Sequence, residues 1–394
     1  MLFQILDDKQ SCVGVYLENG ELVFDDLPPG LSKTWKYSQF LKDYNNIQYA
    51  LLYASGKKLS EVCPENLKEQ WLSVSQQLKA YYKAFTTAKV CLKENCFFDL
   101  VPESFLLNFC ETKNKITTHV LENYPKPNDY EFLAELQKLL LDIKHQKLNI
   151  NKGNLLSSAH EPRARSFLSS NHKPYILYNI FGGKTGRLTT LPGSFPIFNL
   201  DKAHRKVIEP TNDYFLEMDY NAAEIRVFLS LLGLKQPAKD IHQWNLDNIP
   251  NMGDTRQEAK DSFFAWFYNP YATNESLEQV YDKNTLVNKY WDGQHVNTTY
   301  KKKIPSDRWH AFNYLIQSTT ASMVLRQVLK VYKSLQGKES FVSHMVHDNV
   351  VIDMKAEETY LIDDLKALFS KTRFGDFKIQ TSTGLNMGEM DVQS

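Results

Sequence analysis

No apolar run in the chain approaches the roughly 20 residues a membrane-spanning helix needs, so a membrane-embedded protein is not expected. Cysteine is scarce as well. Cys12, Cys63, Cys91, Cys96 and Cys110 all fall in the first third, with no CxxC pair and no histidine at metal-ligand spacing. That argues against a zinc site or a disulfide framework and predicts reduced, mostly buried thiols. Net charge is missing too: 46 Lys and Arg balance 46 Asp and Glu, so no overall basic field announces a nucleic-acid partner. The opening MLFQILDDKQ carries acids early and lacks both the flank and core of a signal peptide and the Arg-rich character of a transit peptide. A cytoplasmic location is the expectation.

What is present begins with length, because 394 residues exceed what one core usually supports and imply two or three packed sub-domains. The stretch VGVYLENGELVF alternates around Asn19-Gly20 and predicts a β-hairpin. Leu67, Trp71, Leu72, Leu78 and Tyr81 recur near helical spacing. A second helix is signalled by Asn128 and Glu131 ahead of Phe132, Leu136, Leu139, Leu140 and Ile143. Residues 65–148 therefore read as mainly helical, with a boundary near 150. Beyond it, FGGKTGRLTTLPGSFPIFNL is too irregular for a long element. Between Asn151 and Pro210, Lys152, Arg163, Arg165, Lys173, Lys184, Arg187, Lys202, Arg205 and Lys206 face only Glu161, Asp201 and Glu209. Such a segment suits a phosphate backbone or a solvated loop equally.

Two acids stand at ends of apolar runs. In YFLEMDYNAAEIRVFLSLLG a strand ends on Asp219 and a helix follows near Ala222; in SHMVHDNVVIDM, Asp348 lies at the tip of a hairpin. Carboxylates brought together from separate strand ends are what a pair of divalent ions needs for phosphoryl transfer. Singly, a helix cap for Asp219 and a turn for Asp348 and Asn349 are the stronger readings. A third segment, DTRQEAKDSFFAWFYNP, places Arg256, Lys260, Phe264 and Tyr268 at four-residue intervals. On a helix they form one stripe about 18 Å long. Two cations followed by two aromatics suit a nucleoside triphosphate lying along the helix; the alternative is an amphipathic helix burying Phe264 and Tyr268.

In this order the three segments resemble motifs A, B and C of family A DNA polymerases, the bacterial polymerase I type. Motif A is Asp219-Tyr220 with Glu224 and Arg226, motif B is Arg256, Lys260, Phe264 and Tyr268, and motif C is Val346-His347-Asp348. Thr185-Gly186-Arg187-Leu188, Asn199, Asp240-Ile241-His242, Asn313 with Gln317, and Gly384-Leu385-Asn386 fill in between, over residues 175–394. The resemblance implies an α+β, right-hand polymerase fold with an antiparallel-sheet palm, helical fingers and a helical thumb, plus a small N-terminal α/β region. The expected divisions are 1–64 for that region, 65–175 for the thumb and 176–394 for palm and fingers, with fingers at about 234–312.

The implied activity is template-directed addition of deoxynucleotides to a primer 3′-hydroxyl. Asp219, Asp348 and the Tyr220 carbonyl would hold two Mg2+ ions, with Mn2+ as a substitute. Lys260 would be the catalytic stabiliser or acid for the leaving group, with Arg256 and His242 on the outer phosphates. Glu224 would crowd a ribose 2′-hydroxyl. Phe264 would lie near the sugar and, having no hydroxyl, predicts poor use of dideoxynucleotides; Tyr268 would lie near the nascent base pair. Arg187, Asn199, Asn313, Gln317 and His347 would contact primer-template DNA, mostly from the minor groove. The partners implied are primer-template DNA, deoxynucleoside triphosphates, and a processivity or exonuclease protein. The compact size suits a phage or mobile-element enzyme working in a bacterial host's cytoplasm.

Three departures matter. Asn269 replaces the Gly usual after the motif B Tyr and is expected to end its helix in the left-handed conformation. Asn349 replaces the usual Glu after the motif C Asp, and the stretch from Tyr268 to Asn313 is short, so the fingers are trimmed. In the N-terminal region Leu6-Asp7-Asp8-Lys9 offers no Asp-x-Glu pair, so no 3′–5′ exonuclease is expected; residues 1–64 read as an exonuclease relic or a docking module. Two rivals stay open: a non-catalytic DNA-binding subunit, which would need neither acid nor Lys260 nor Glu224, and a single-subunit RNA polymerase or reverse transcriptase.

Overall fold

The structure, a computed structural model, describes residues 1–8, 11–24, 27–92 and 95–393. Lys9 of the Leu6–Lys9 stretch lies outside them, as does the Asp8 side chain. Two compact units result, Met1–His145 and Gln146–Ser394.

In the first unit, β1 (Leu2–Asp8), β2 (Ser11–Leu17), β3 (Leu22–Val23), β4 (Lys33–Thr34) and β5 (Gln48–Tyr49) form a sheet of order β3-β2-β1-β4-β5. β1 runs antiparallel to β2 and parallel to β4. Gly20, with φ of 90°, makes the turn between β2 and β3, a conformation that costs glycine nothing. Both faces of the sheet are covered. Phe3, Ile5, Val15, Leu17, Leu31 and Leu41 pack on one side. Leu6 and Tyr16 join Val74 of α2 (Lys68–Thr87) and Phe105, Phe109 and Cys110 of α3 (Glu103–Asn123) on the other; α1 (Leu59–Val62) and α4 (Tyr130–His145) are the other helices of this unit. The Trp35 indole donates to Asn114 Oδ1 at 2.9 Å, and the Lys113 ammonium stands 4.8 Å from the Trp35 ring centre and 5.4 Å from that of Phe109. All five cysteines are free, but only Cys63 and Cys110 are buried. The expectation of mostly buried thiols is corrected: Cys91 and Cys96 lie in the connection between α2 and α3, outside any packed element.

The second unit is built on a sheet ordered β13-β14-β10-β17-β18. Short pieces lead into it: β6 (Asn149–Ile150), α5 (Pro162–Ser169), β7 (Tyr178–Asn179), β8 (Thr189–Thr190) and β9 (Ile208–Glu209). Next come β10 (Tyr214–Tyr220), α6 (Ala223–Leu232), α7 (Ile241–Asn248), α8 (Arg256–Tyr268), α9 (Glu275–Glu278) and α10 (Lys283–Tyr290). A hairpin of β11 (His295–Asn297) and β12 (Lys303–Pro305) precedes the long α11 (Arg308–Ser334). The chain then forms β13 (Phe341–Val346), β14 (Asn349–Met354), α12 (Ile362–Ser370), β15 (Lys371–Thr372), β16 (Gly375–Asp376), β17 (Ile379–Gly384) and β18 (Asp391–Gln393).

Within the sheet every pairing is antiparallel, with β10 between β14 and β17. Its apolar side chains explain that central place: Phe215, Leu216 and Met218 are at most 1% exposed. An aromatic cluster of Phe228, Phe263, Phe267, Tyr281 and Phe312 joins α6, α8 and α11. No helix among the described residues is long and apolar enough to cross a membrane.

Candidate active site

Register places the two acids side by side. Asp219 pairs with Asn349 across the β10–β14 ladder, and Asp348 is the residue before Asn349, in the two-residue turn closed by Val346 and Asn349. Neighbouring strands lie about 4.8 Å apart, so the carboxylates share one end of the sheet. Asp219 is not a helix cap: the cap position of α6 is Ala222, without a side-chain bond. The turn after Asp219 and the turn that carries Asp348 each hold a non-glycine residue in the left-handed region, Ala222 at φ 55° and His347 at φ 57°. Each costs about 1 kcal/mol or more and persists only where its surroundings impose it.

Asp219 is exposed and Asp348 half-buried. Neither carboxylate takes part in an ion pair among the described residues. Lost hydration first, then repulsion from Glu217 and Asp348, pushes Asp219 up to about 7. The atoms packed around its carboxyl and the neighbouring like charges act in the same direction. Asp348 is raised by burial, against the pull of Arg187. No group of three or more His, Cys, Asp or Glu among the described residues is arranged to hold a metal ion. Two carboxylates match magnesium, which is usually bound by one or two carboxylates plus substrate, better than a metal that needs a full protein cage.

Around the acids, Glu224 is 5% exposed. Its carboxylate accepts from Arg187 Nη2 and, at 2.5 Å, from the Tyr268 hydroxyl. Burial raises Glu224, opposed by Arg187 and Tyr268. Tyr268 is the last residue of α8, and its carbonyl accepts from Asn313 Nδ2 at 3.0 Å. The ring of Phe264 stacks on Tyr268 at 5.5 Å and 8°. Along α8, Arg256 and Tyr268 are exposed and Lys260 and Phe264 half-buried, while Ala259, Phe263, Trp266 and Phe267 are buried. The core-facing side of the helix is therefore a different set of residues from the Arg-Lys-Phe-Tyr stripe. A capping box of Thr255 and Glu258 starts the helix. Its end differs from expectation: Asn269 is extended, φ −84° and ψ 116°, because Pro270 follows and biases its predecessor away from helical conformations.

Arg256 makes a bidentate ion pair with Asp240, 3.0 and 2.7 Å. Asp240 also caps α7 through the amides of His242 and Gln243 and accepts from Asn221 Nδ2 at 2.7 Å. Against the burial that would raise it, the bonds from Arg256, Gln243 and Asn221 hold Asp240 well below the usual carboxylate range. Arg226, 1% exposed, donates to the carbonyls of Asn221, Pro237 and Lys239. These bonds tie the turn after Asp219 to the start of α7. His242 is buried, 5.4 Å from Phe264 between ring centres, and burial, with Arg256 and Lys260 nearby, lowers it to about 4. It is neutral and covered in this conformation.

His347 is exposed, with its ring tilted by 30° against that of Phe198 and the ring centres 5.4 Å apart. A cavity of about 50 Å³ beside it is lined by Arg187, Phe198, Ala321, Met345 and Asp348, among others. A much broader groove of about 1150 Å³, between Tyr214, Ile362 and Leu385, borders neither acid. No side-chain hydrogen bond among the described residues ties Asn199, Gln317 or Lys260 to the acid pair. In the basic stretch, Arg163 is already paired with Asp201 at 2.8 Å, which takes part of its charge out of play.

No protein-family model matches the chain, and no curated protein matches it by sequence. Solved structures do. The POL domain of Pol1 from M. smegmatis, in complex with DNA primer-template and dNTP, superposes with a TM-score of 0.63 at 10% identity, covering 98% of this chain and 95% of that one. The chain has the fold of a DNA polymerase domain. The likeness reaches beyond residues 175–394, where the motifs lie, into the N-terminal residues. Within this polymerase-type fold the sequence left several parts unread. Glu217, two residues before Asp219 on the same strand face, was announced only by the period-two rule. The Asp240–Arg256 pair joins residues 16 apart, a contact that no local pattern encodes.

Proposed function

We propose that the protein is a template-directed DNA polymerase of the family A type, acting without a 3′–5′ exonuclease of its own. The observation that carries this reading is the placement of Asp219 and Asp348 at one end of adjacent strands, in a fold similar to a DNA polymerase domain. On this reading the sheet bearing the acids would be the palm, α7 to α10 would belong to the fingers, and residues 65–175 would be the thumb. Asp219, Asp348 and the Tyr220 carbonyl would hold two magnesium ions, or manganese in their place, which activate the primer 3′-hydroxyl and neutralise the triphosphate.

The protein's own groups do the rest. Lys260 is half-buried and in no ion pair among the described residues, so its ammonium is available to stabilise, or hand a proton to, the departing pyrophosphate. Arg256 exchanges Asp240 for the outer phosphates, and His242 reaches them only if its cover of Phe264 moves. Glu224, held by Arg187, presents a wall to a ribose 2′-hydroxyl. Release of the Tyr268 hydroxyl from Glu224 opens the place the nascent base pair takes. Arg187, Asn199, Asn313, Gln317 and His347 line the path of primer and template. A processivity or exonuclease partner, a cytoplasmic setting and a phage or mobile-element origin belong to the same reading.

Single-nucleotide addition tests it. With a 5′-labelled primer on four DNA templates that differ at one base, each template should direct addition of only the complementary deoxynucleotide, in magnesium and not in EDTA. No addition, or addition indifferent to the template, sinks the reading and leaves the DNA-binding subunit; equal addition opposite RNA templates favours a reverse transcriptase.

A further inference from the structure

We propose that Glu217 is a positioning residue for the acid pair, fixing through the Asn349 amide the turn that carries Asp348 and adding a third negative charge beside it. This rests on the reading of Asp219 and Asp348 as a magnesium centre.

Residues 215, 217 and 219 of β10 share one face, and Asn349 pairs with Asp219 on the neighbouring strand. Asn349 is 7% exposed, and its amide is bonded at both ends. Its Oδ1 accepts from the Val346 amide at 2.9 Å, and its Nδ2 donates to Glu217 Oε1 at 2.5 Å. A backbone N–H can only donate, so the amide oxygen must face Val346 and the NH2 must face β10. A carboxylate is the strongest acceptor for it. Val346 and Asn349 are the two residues that close the turn, and His347 within that turn is held at φ 57°. The Glu217–Asn349–Val346 chain of bonds therefore joins the strand of Asp219 to the turn of Asp348.

Among the described residues Glu217 takes part in no ion pair, and its side-chain hydrogen bond is the one from the Asn349 amide. Lys202 and Arg205 are the cations that face it. The arrangement also explains the amide at 349. An acid there would set one carboxylate against another, whereas Asn turns the same contact into a donor–acceptor pair.

The test uses the full chain without nucleic acid and reads Mn2+ uptake by electron paramagnetic resonance together with the melting temperature. Asp219→Asn should abolish uptake. Glu217→Gln, which keeps the shape and an acceptor but loses the charge, should weaken Mn2+ binding about tenfold, the usual scale for groups that orient metal ligands. Asn349→Asp alone should lower the melting temperature by like-charge contact. The exchanged pair Glu217→Gln with Asn349→Asp reverses the hydrogen bond and restores the charge, so it should recover most of both losses. A Glu217→Gln variant that binds Mn2+ as the parent does, or an exchanged pair no better than Glu217→Gln alone, overturns the inference while the magnesium centre stands. A parent that takes up no Mn2+ overturns both. If Asn349→Asp does not fold, the comparison of Glu217→Gln with the parent still decides.

Discussion

Glu224 concentrates the most demands in one side chain. It is almost wholly buried, raised by that burial, and kept in place by one guanidinium and one phenol. Removing it takes the shared acceptor from Arg187 and Tyr268, which both reach solvent, and empties a buried volume. Glu224→Ala should therefore melt earlier and, in primer extension, accept ribonucleotides much more readily relative to deoxynucleotides. Unchanged sugar discrimination in a folded variant removes the gate from this residue. Lys113 tests a different balance. Cation–π contact with Trp35 and Phe109 favours the ammonium, but burial, aided by Lys36, outweighs it and brings Lys113 down to about 8. An unfolded lysine holds its proton to about 10.4, so between these values the unfolded state binds more protons and stability rises with pH. Calorimetric melting from pH 7 to 10 should show that rise, and Lys113→Met should raise the melting temperature at pH 7 and flatten the rise. A lower melting temperature for Lys113→Met at pH 7 would mean the aromatic contact wins.

The helix α8 packs into the core by one face and leaves the Arg256-to-Tyr268 stripe less buried. Phe263 and Phe267 hold the aromatic cluster, and Phe263→Ala should cost about 3–5 kcal/mol, read as a loss of denaturant midpoint. Phe264→Ala, on the half-buried flank beside that face, should cost less stability and, on the proposed function, also appear as a raised KM for deoxynucleotides. Equal destabilisation by the two would mean that the stripe is only packing. This division was partly legible in the sequence, because four-residue spacing survives in any helix, and Arg256 to Tyr268 does occupy one less-buried side. The strand β10 was legible for the same reason, its apolar residues running up to Asp219. What the spacing could not carry was the bonding of each element to others distant in sequence: Arg256 on Asp240, Asn313 on Tyr268, Glu217 on Asn349. Nor did it carry the extended end at Asn269, where local proline chemistry prevailed over the tendency of Asn toward a left-handed cap.

At the scale of the molecule, the ordered motifs gave a polymerase-type fold at the level of architecture, and the likeness to the mycobacterial POL domain covers 98% of the chain at 10% identity. The N-terminal unit was the least legible part. Its sheet is made largely of two-residue strands, too short for period-two alternation to register. The absence of an Asp-x-Glu pair leads us to expect no release of nucleotides from an unpaired, labelled primer end; degradation that depends on the N-terminal unit would contradict this. The most direct test of the central claim is single-turnover extension of one primer-template in magnesium by the parent, Asp219→Asn and Asp348→Asn, each first shown to be folded and to bind the duplex. The account predicts nucleotide addition by the parent alone, and undiminished addition by either variant would contradict it.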